Sequence, residues 1–317
     1  MHFPLRCTPV RVLVPLLVLG AVALAAGCGA STPGATAGTT SGAAIAAVGA
    51  ENEYANVIEQ IGGAHVSVAA IESNPNTDPH TYEASPSVAA AVSEAKLVVQ
   101  NGVGYDTYME RIEAASPSSS RKVIDVQKLL GLPESTANPH LWYKPTTMPA
   151  VAEAVARALS ALQPAHAAYF QERARSFDAS LQPWLEAIAR FAKRYPHVAV
   201  ATTEPVADYL LEAMGARNLT PFSMQADIMN GTDPAPQDVA LQEHLLGGRQ
   251  VKAFVHNEQV TSSVTDSFVK LAHGARVPIV GVYETMPTPG YDYQSWMLAE
   301  VKAIEAAVAR GVSTEHL

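Results

Sequence analysis

Short apolar runs rich in β-branched residues alternate with longer stretches in which apolar residues recur every three or four positions. The short runs are typical of buried strands, and the longer stretches are typical of amphipathic helices. This alternation favours an α/β fold with mainly parallel sheets. The predicted strands are residues 44–48, 66–71, 97–100, 123–126, 198–202, 251–255 and 279–282, and the helices between them are 51–61, 86–95, 106–115, 205–214, 235–246, 262–272 and 295–310.

The alternation of strands and helices occurs twice, before residue 145 and after residue 196, with no strand pattern between. We therefore predict two α/β lobes, each with a mainly parallel sheet flanked by helices, at residues 44–145 and 197–317. The segment 146–196 predicts a helix over 146–162 and a long, rigid connecting helix over 165–194, about 45 Å long and kinked at Pro183. A helical hairpin packed on a single domain is the alternative.

The N-terminal segment has the pattern of a targeting signal. Residues 1–11 carry two arginines and no acid, and residues 12–26 carry no charge. This predicts a secretory signal peptide over 1–27, because the apolar run is shorter than the roughly 20 residues of a membrane-spanning helix. A transmembrane anchor is the alternative.

The residues around Cys28 predict a lipid anchor. The sequence Leu24-Ala25-Ala26-Gly27-Cys28 resembles the lipobox of bacterial lipoproteins, in which this cysteine is acylated. Residues 29–43 contain only Gly, Ala, Ser, Thr and Pro, which predicts a flexible tether over 28–43. We expect the folded part to lie outside the cytoplasm, in the periplasm or on the cell surface, held to the bacterial cell membrane through Cys28.

Composition and charge exclude several classes of protein. The 317 residues include 21 Lys plus Arg against 30 Asp plus Glu, a net charge of −9, and no basic cluster is present. A nucleic-acid-binding function is therefore excluded, because phosphate backbones are bound by clustered cations. Two cysteines are too few for a disulfide scaffold.

Two histidines share one local sequence pattern. Asp78-Pro79-His80 and Asn138-Pro139-His140 are each followed, after one residue, by an aromatic residue. Proline fixes its own φ and favours an extended preceding residue, so both imidazoles stand on restricted backbone. This preorganisation suits metal ligands. The Asp or Asn side chain is expected to bond to the loop or to an imidazole N–H.

Two carboxylates follow predicted strands of the second half. Glu204 comes after the strand 198–202, and Glu284 comes after the strand 279–282. Ligands of open α/β sheets bind beyond the carboxyl ends of strands. Two neutral imidazoles and two carboxylates would enclose a divalent cation and leave no net charge in a closed cleft.

These motifs, in this order and spacing, resemble the metal-binding solute receptors of ABC importers for zinc and manganese. The resemblance covers about residues 44–310 and implies a two-lobed receptor, not an enzyme, that binds one metal ion between its lobes and delivers it to a membrane permease. It also implies four ligands: His80, His140, Glu204 and Glu284. The residues that carry the resemblance are Asp78 to His80 with Tyr82, Glu83 and Pro86, the run 97–102 with Tyr105 and Asp106, the run 138–142, Thr203 and Glu204 with Tyr209, and Glu284 with Tyr293 and Met297.

Departures from the family pattern concern the carboxylates. Many relatives have Asp where this chain has Glu284, with Asp292 a less favoured substitute, and many zinc receptors have His where it has Glu204. Two imidazoles with two carboxylates suit Mn²⁺ or Fe²⁺ slightly better, although Zn²⁺ exceeds Mn²⁺ in the general affinity order. We therefore expect one divalent ion, Mn²⁺ or Zn²⁺, as the cargo.

Two other functions are compatible with some of these residues. A metal-dependent hydrolase would need an open coordination position and a nearby base. An adhesin or binder of organic solutes would need apolar walls, which Trp142, Tyr82 and Tyr293 could supply. We expect a monomer, and we expect residues 311–317, including His316, to form a frayed tail.

Overall fold

The computed structural model describes residues 43–287 and 289–317. The predicted signal peptide, Cys28 and nearly all of the predicted tether lie outside the described residues. Within the part of the chain that is described, no helix is both long and apolar enough to cross a membrane.

The first half forms a four-stranded parallel sheet in the order β2-β1-β3-β4. Its central strands are continuous apolar runs because helices cover both faces, as parallel sheets require. Ile45 pairs with Val66 and Val48 with Val98 across the sheet. The strands are β1 (Ile45–Glu51), β2 (Val66–Glu72), β3 (Leu97–Gln100) and β4 (Lys122–Asp125), and the helices are α1 (Asn52–Gly62), α2 (Pro86–Glu94), α3 (Thr107–Ala115) and α4 (Val126–Leu129).

The second half repeats this topology in a second parallel sheet, in the order β6-β5-β7-β8. The predicted α/β class with two parallel sheets is thus confirmed. Its strands are β5 (Ala199–Thr202), β6 (Arg217–Asn218), β7 (Phe254–Asn257) and β8 (Ile279–Val282). The connecting segment contributes three helices, α5 (Thr147–Leu162), α6 (Ala167–Ser180) and α7 (Gln182–Arg194). The helices of the second half are α8 (Asp208–Ala213), α9 (Phe222–Met229), α10 (Pro236–Gly247), α11 (Ser263–Ala275) and α12 (Tyr293–Arg310).

The connecting segment differs from the single long helix expected over 165–194. A short 3-10 turn covers Pro164–His166, and the remainder is two helices, α6 and α7, separated at Leu181. Pro183 explains the break, because it has no N–H to donate to the carbonyl of Ala179 and its ring crowds that carbonyl. The predicted kink is present, but it divides the helix.

One apolar core continues from the first sheet to the second. It includes Ile45 and Leu97 of the first sheet, Val200 and Val280 of the second, and Trp184 of the connecting segment. Each sheet also has a smaller cluster on its other face, one around Val98 and one around Phe254. The two sheets are therefore joined by shared packing as well as by the connecting helices.

The C-terminal tail is ordered on the second sheet, so the expectation of a frayed tail was wrong. Thr314 forms a parallel bridge with Val280 of β8, and its backbone exchanges hydrogen bonds with Gly281 and Ile279, each of 2.9 Å. His316 lies 3.1 Å from the carboxylate of Glu258. The tail thus covers the edge of β8, where unpaired backbone groups would otherwise be exposed.

Candidate metal centre

Both histidine motifs fold into the same local structure. The Asp78 carboxylate accepts a hydrogen bond of 2.8 Å from the backbone N–H of His80, and the Asn138 side-chain oxygen accepts one of 3.0 Å from that of His140. In each motif the side chain two residues upstream closes a tight turn around the proline. The repeated sequence pattern therefore fixes both imidazoles by the same means.

The His140 ring is held at both nitrogens. Its Nδ1 lies 2.8 Å from the Asn138 side-chain oxygen, and its Nε2 lies 3.1 Å from Oε2 of Glu284. Because the Asn138 oxygen only accepts, Nδ1 carries the proton and Nε2 presents a lone pair when the ring is neutral. This is the tautomer that a metal ligand needs, with its other nitrogen bonded to a supporting group.

Glu284 brings the two histidines to one point. It follows β8, and its Oε2 lies 3.1 Å from Nε2 of both His80 and His140 and accepts a hydrogen bond of 2.9 Å from the hydroxyl of Tyr105. One potential ligand atom from each of His80, His140 and Glu284 lies within 4.8 Å of the others. The group joins loops of the first half to a loop of the second.

The fourth predicted residue, Glu204, lies beside this group without belonging to it. Glu204 follows β5 and is buried, and its Oε2 accepts a short hydrogen bond from the side-chain amide of Asn257. The same amide donates a bond of 2.7 Å to Oε1 of Glu284. Oε1 of Glu204 is buried and has no hydrogen-bond partner among the described residues.

Burial and mutual charge shift the pKa of every member of the site. Burial alone would lower the pKa of His80, but the Glu284 charge, with smaller contributions from Glu204 and Asp78, raises it to about 9. Burial, followed by the charge of Glu284, raises the pKa of Glu204 to about 8. Burial lowers the pKa of His140.

In Glu284 the effect of neighbouring groups on the pKa outweighs the effect of burial. Burial would raise its pKa, yet the charge of His80, together with the close contacts of both imidazoles, holds the pKa of Glu284 below its usual range. These shifts favour a proton on His80 and on Glu204 and a negative charge on Glu284. Replacing both protons with one divalent cation leaves the net charge of the site unchanged.

Sequence reasoning missed two side chains that organise the carboxylates. Asn257 ends β7, where the predicted strand stopped at residue 255, so its place at the carboxyl edge of the sheet was not recognised. Gln259 accepts hydrogen bonds from the backbone of Glu284 and Thr285 and donates one of 2.8 Å to the Thr77 carbonyl, which precedes the first histidine motif. The strand-end rule that identified Glu204 and Glu284 would also have found Asn257.

Within the described residues, the group of His80, His140 and Glu284 is exposed to solvent at His80. The side chains of His140 and Glu284 have no exposed surface, whereas 19% of the His80 side chain is exposed. His80 and Tyr105 border a cavity of about 390 Å³ that also includes Arg111 and Asn230. An ion from solvent would therefore reach the site past His80.

Asp292, which was considered as a substitute for Glu284 among the ligands, has a structural role instead. Its carboxylate accepts a hydrogen bond of 2.9 Å from the backbone N–H of Ser295 and caps the start of α12. Such a cap satisfies backbone donors that a helix N-terminus leaves free. Glu284, and not Asp292, is the acid next to the histidines.

Comparisons with known proteins agree with this fold. The manganese-binding lipoprotein MntA of Bacillus subtilis (strain 168) is 29% identical to this chain over 172 residues. The matched region covers 52% of this chain and 54% of MntA, so the chain spans about half the length of that relative. A crystal structure of ZnuA, at 21% identity, has a TM-score of 0.68 over 84% of this chain and 100% of its own. The periplasmic zinc binding protein TroA from Treponema pallidum, at 19% identity, has a TM-score of 0.69 over 86% of this chain and 100% of its own.

A family model also matches most of the chain. The model described as ZnuA, zinc-uptake complex component A, periplasmic, matches residues 48–307. This range includes the second sheet, the first sheet except the start of β1, the connecting helices and all the residues around the candidate centre. The resemblance that the motifs indicated is thereby confirmed, and the chain belongs to the ZnuA family.

Proposed function

We propose that this protein is an extracytoplasmic receptor that binds one divalent transition-metal ion, Zn²⁺ or Mn²⁺, and delivers it to an ABC permease. The observation that carries this proposal is the convergence of two imidazole nitrogens and a carboxylate oxygen, from both halves of the chain, at one buried point. The ion is transported cargo, and no catalytic step is proposed. The family match and the zinc- and manganese-binding relatives support this function.

The proposed ligands are His80, His140, Glu204 and Glu284. Three of them already meet, and the partnerless Oε1 of Glu204 supplies the fourth donor. Two imidazoles and two carboxylates around a divalent ion make a neutral site, so the ion can be buried without an uncompensated charge. Ligands from both halves couple the capture of the ion to the relative position of the two sheets.

Location and partners complete the proposal. A signal peptide over 1–27 would export the chain, and acylation of Cys28 would hold it at the bacterial membrane beside the permease. The proposed receptor acts as a monomer. The location and the permease partner rest on the N-terminal sequence pattern and on the family, whose description is periplasmic.

Metal stoichiometry tests the proposed function. The purified protein, stripped with chelator and reloaded with Zn²⁺ or Mn²⁺, should bind one ion per chain by isothermal titration and elemental analysis. His80→Ala and His140→Ala should each weaken binding at least about tenfold. His244→Ala is the matched control, because His244 lies on α10 and bonds to Gln250. Unchanged binding in both site variants would refute the proposal.

A further inference from the structure

Asn257 occupies the space between the two carboxylates of the candidate centre. It ends β7, only 1% of its surface is exposed, and its side-chain Nδ2 donates to Oε2 of Glu204 and to Oε1 of Glu284. Both protons of the amide are thus used, one on each carboxylate. A single neutral side chain holds one oxygen of each acid.

The orientation of the amide is fixed by its surroundings. The Asn257 side-chain oxygen accepts a hydrogen bond of 3.1 Å from the backbone N–H of Gln259, so the nitrogen must face the carboxylates. The backbone N–H of Asn257 donates a bond of 3.0 Å to the hydroxyl of Thr203, which fixes the end of the strand. Rotating the amide would replace two hydrogen bonds to carboxylates with repulsion between oxygens.

Each carboxylate is left with one oxygen that Asn257 does not engage. For Glu284 this is Oε2, which faces His80 and His140 at 3.1 Å. For Glu204 it is the buried Oε1, which has no partner among the described residues. Together with the two imidazole nitrogens these oxygens make four donors, one from each side chain.

Four donors, with each carboxylate binding through one oxygen, are what Zn²⁺ takes in closed tetrahedral protein sites. Mn²⁺ favours oxygen-rich octahedral coordination. To supply six donors, the protein would need the two imidazole nitrogens and both oxygens of both Glu204 and Glu284. Asn257 already bonds to two of those four oxygens. The amide therefore penalises the coordination that Mn²⁺ prefers and leaves the zinc geometry undisturbed.

We propose that Asn257 is a positioning residue that makes this site selective for Zn²⁺ over Mn²⁺, by restricting Glu204 and Glu284 to one ligand oxygen each. The proposal rests on the proposed function and specifies its cargo as zinc. It reverses the slight preference for manganese that the ligand types alone suggested.

The test compares wild-type protein with Asn257→Ala and Asn257→Ser. X-ray absorption on the zinc-loaded wild type should give four nitrogen or oxygen neighbours at about 2.0 Å. In both variants the freed oxygens should raise the coordination number of bound Mn²⁺, and the ratio of Zn²⁺ to Mn²⁺ affinity, from competition titration, should fall at least about tenfold. Asn76→Ala is the control and should match wild type, because Asn76 is exposed and, among the described residues, its side chain bonds to Asn74 alone.

The possible results separate the two proposals. The role of Asn257 would be overturned if the ratio of Zn²⁺ to Mn²⁺ affinity in the Asn257 variants stayed within twofold of wild type. It would also be overturned if the wild-type zinc complex had five or six ligands. Either result would leave the receptor function standing. Wild-type protein that binds neither metal would overturn the receptor function itself. Thermal melting in chelator identifies any variant that fails to fold, and Asn257→Ser, whose hydroxyl can still accept from Gln259, then carries the comparison.

Discussion

Asn138 supports the candidate centre from both of its side-chain atoms. Its oxygen bonds to the backbone and ring of His140, and its nitrogen donates a bond of 2.8 Å to the carbonyl of Pro205, next to Glu204. One residue thus orients a proposed ligand of the first half and fixes the loop of a proposed ligand from the second. Its importance to the site comes from this double contact.

Removing this support should weaken metal binding without removing a ligand. We expect Asn138→Ala to reduce metal affinity about 10- to 100-fold, the usual cost of losing a group that orients a metal-bound histidine. Isothermal titration measures the change. Thr136→Ala is the control and should bind like wild type, because in the described part of the chain the Thr136 hydroxyl bonds to the nearby Pro133 carbonyl and to no other group. Equal affinities of the two variants would contradict the role of Asn138.

Glu300, which is not one of the proposed ligands, makes the stability of the protein depend on pH. It is fully buried in α12, and its Oε1 lies 3.0 Å from the indole nitrogen of Trp296 and 3.3 Å from the Tyr143 hydroxyl. Burial raises its pKa to about 8. Because this pKa lies above the unfolded value, the folded state holds the proton more tightly, and the contribution of Glu300 to stability is lost as pH rises from about 4.5 to 8.

Glu300→Gln should remove this pH dependence, because glutamine keeps the shape without a proton to lose. Relative to wild type, the variant should gain about 3 to 5 kcal/mol in free energy of unfolding between pH 5 and pH 8. Urea denaturation at both pH values measures the difference. The same relative stability at pH 5 and pH 8 would show that Glu300 does not hold its proton in the folded state.

At the scale of elements, the sequence predicted what depends on periodicity and missed what depends on tertiary contacts. β3 and β8 agree with prediction to the residue, because each is a short run dominated by apolar, β-branched residues. β6 has two residues, too few for any pattern, and exists because Arg217 and Asn218 pair with β5. β7 runs past its apolar residues into His256 and Asn257, polar residues that a hydrophobic pattern assigns to a loop.

The residues of the candidate site also fall into those that the sequence could predict and those that it could not. The two histidine motifs could be identified because proline and an Asp or Asn side chain act locally, within three residues. Glu204 and Glu284 followed from the strand-end rule. The bond from Asn138 to His140 was likewise predicted from its motif. The roles of Asn257 and Gln259, and the contact of Asn138 with Pro205, depend on loops that are distant along the chain, and no local pattern encodes such contacts.

The docked tail gives the second sheet a feature that substitution can test. A Cβ on Gly281 of β8 would overlap the carbonyl oxygen of Glu315, which belongs to the tail. We expect Gly281→Ala to displace the tail and to lower the free energy of unfolding by about 1 to 3 kcal/mol. Hydrogen exchange should accelerate in residues 311–317, where the backbone bonds to β8 are lost.

Gly274→Ala is the matched control for this substitution. Gly274 lies in α11, and the described part of the chain places no obstructing atom within 4 Å of the position that a Cβ would take there. Alanine at this position should therefore raise stability by about 0.4 to 1 kcal/mol. Destabilisation by both alanines, or by neither, would show that the contact between Gly281 and the tail does not matter.

For the whole molecule, the continuous core limits how far the two halves can separate. Apolar side chains of both sheets and of α7 pack in one cluster, and Asn52 of the first half exchanges two hydrogen bonds with the backbone of Met286 in the second. Opening the halves widely would expose this surface to water. Metal binding should therefore stabilise a nearly preformed site instead of driving a large closure.

Linkage between binding and folding makes this stabilisation measurable. A ligand at about 100 times its Kd adds about 2.7 kcal/mol, which for a chain of this size should raise the melting temperature by at least about 5 °C. Differential scanning calorimetry with Zn²⁺ and then with excess chelator should show this rise and its reversal. His140→Ala should melt at the same temperature in both conditions, and a rise in that variant equal to wild type would place the stabilising ion elsewhere.

Anomalous diffraction from crystals grown with Zn²⁺, recorded on both sides of the zinc absorption edge, tests the central claim most directly. We predict one strong peak per chain, about 2.0 to 2.2 Å from Nε2 of His80, Nε2 of His140 and one carboxylate oxygen each of Glu204 and Glu284. A peak bound by other residues, or no peak from protein that binds zinc in solution, would contradict the assignment of these four side chains.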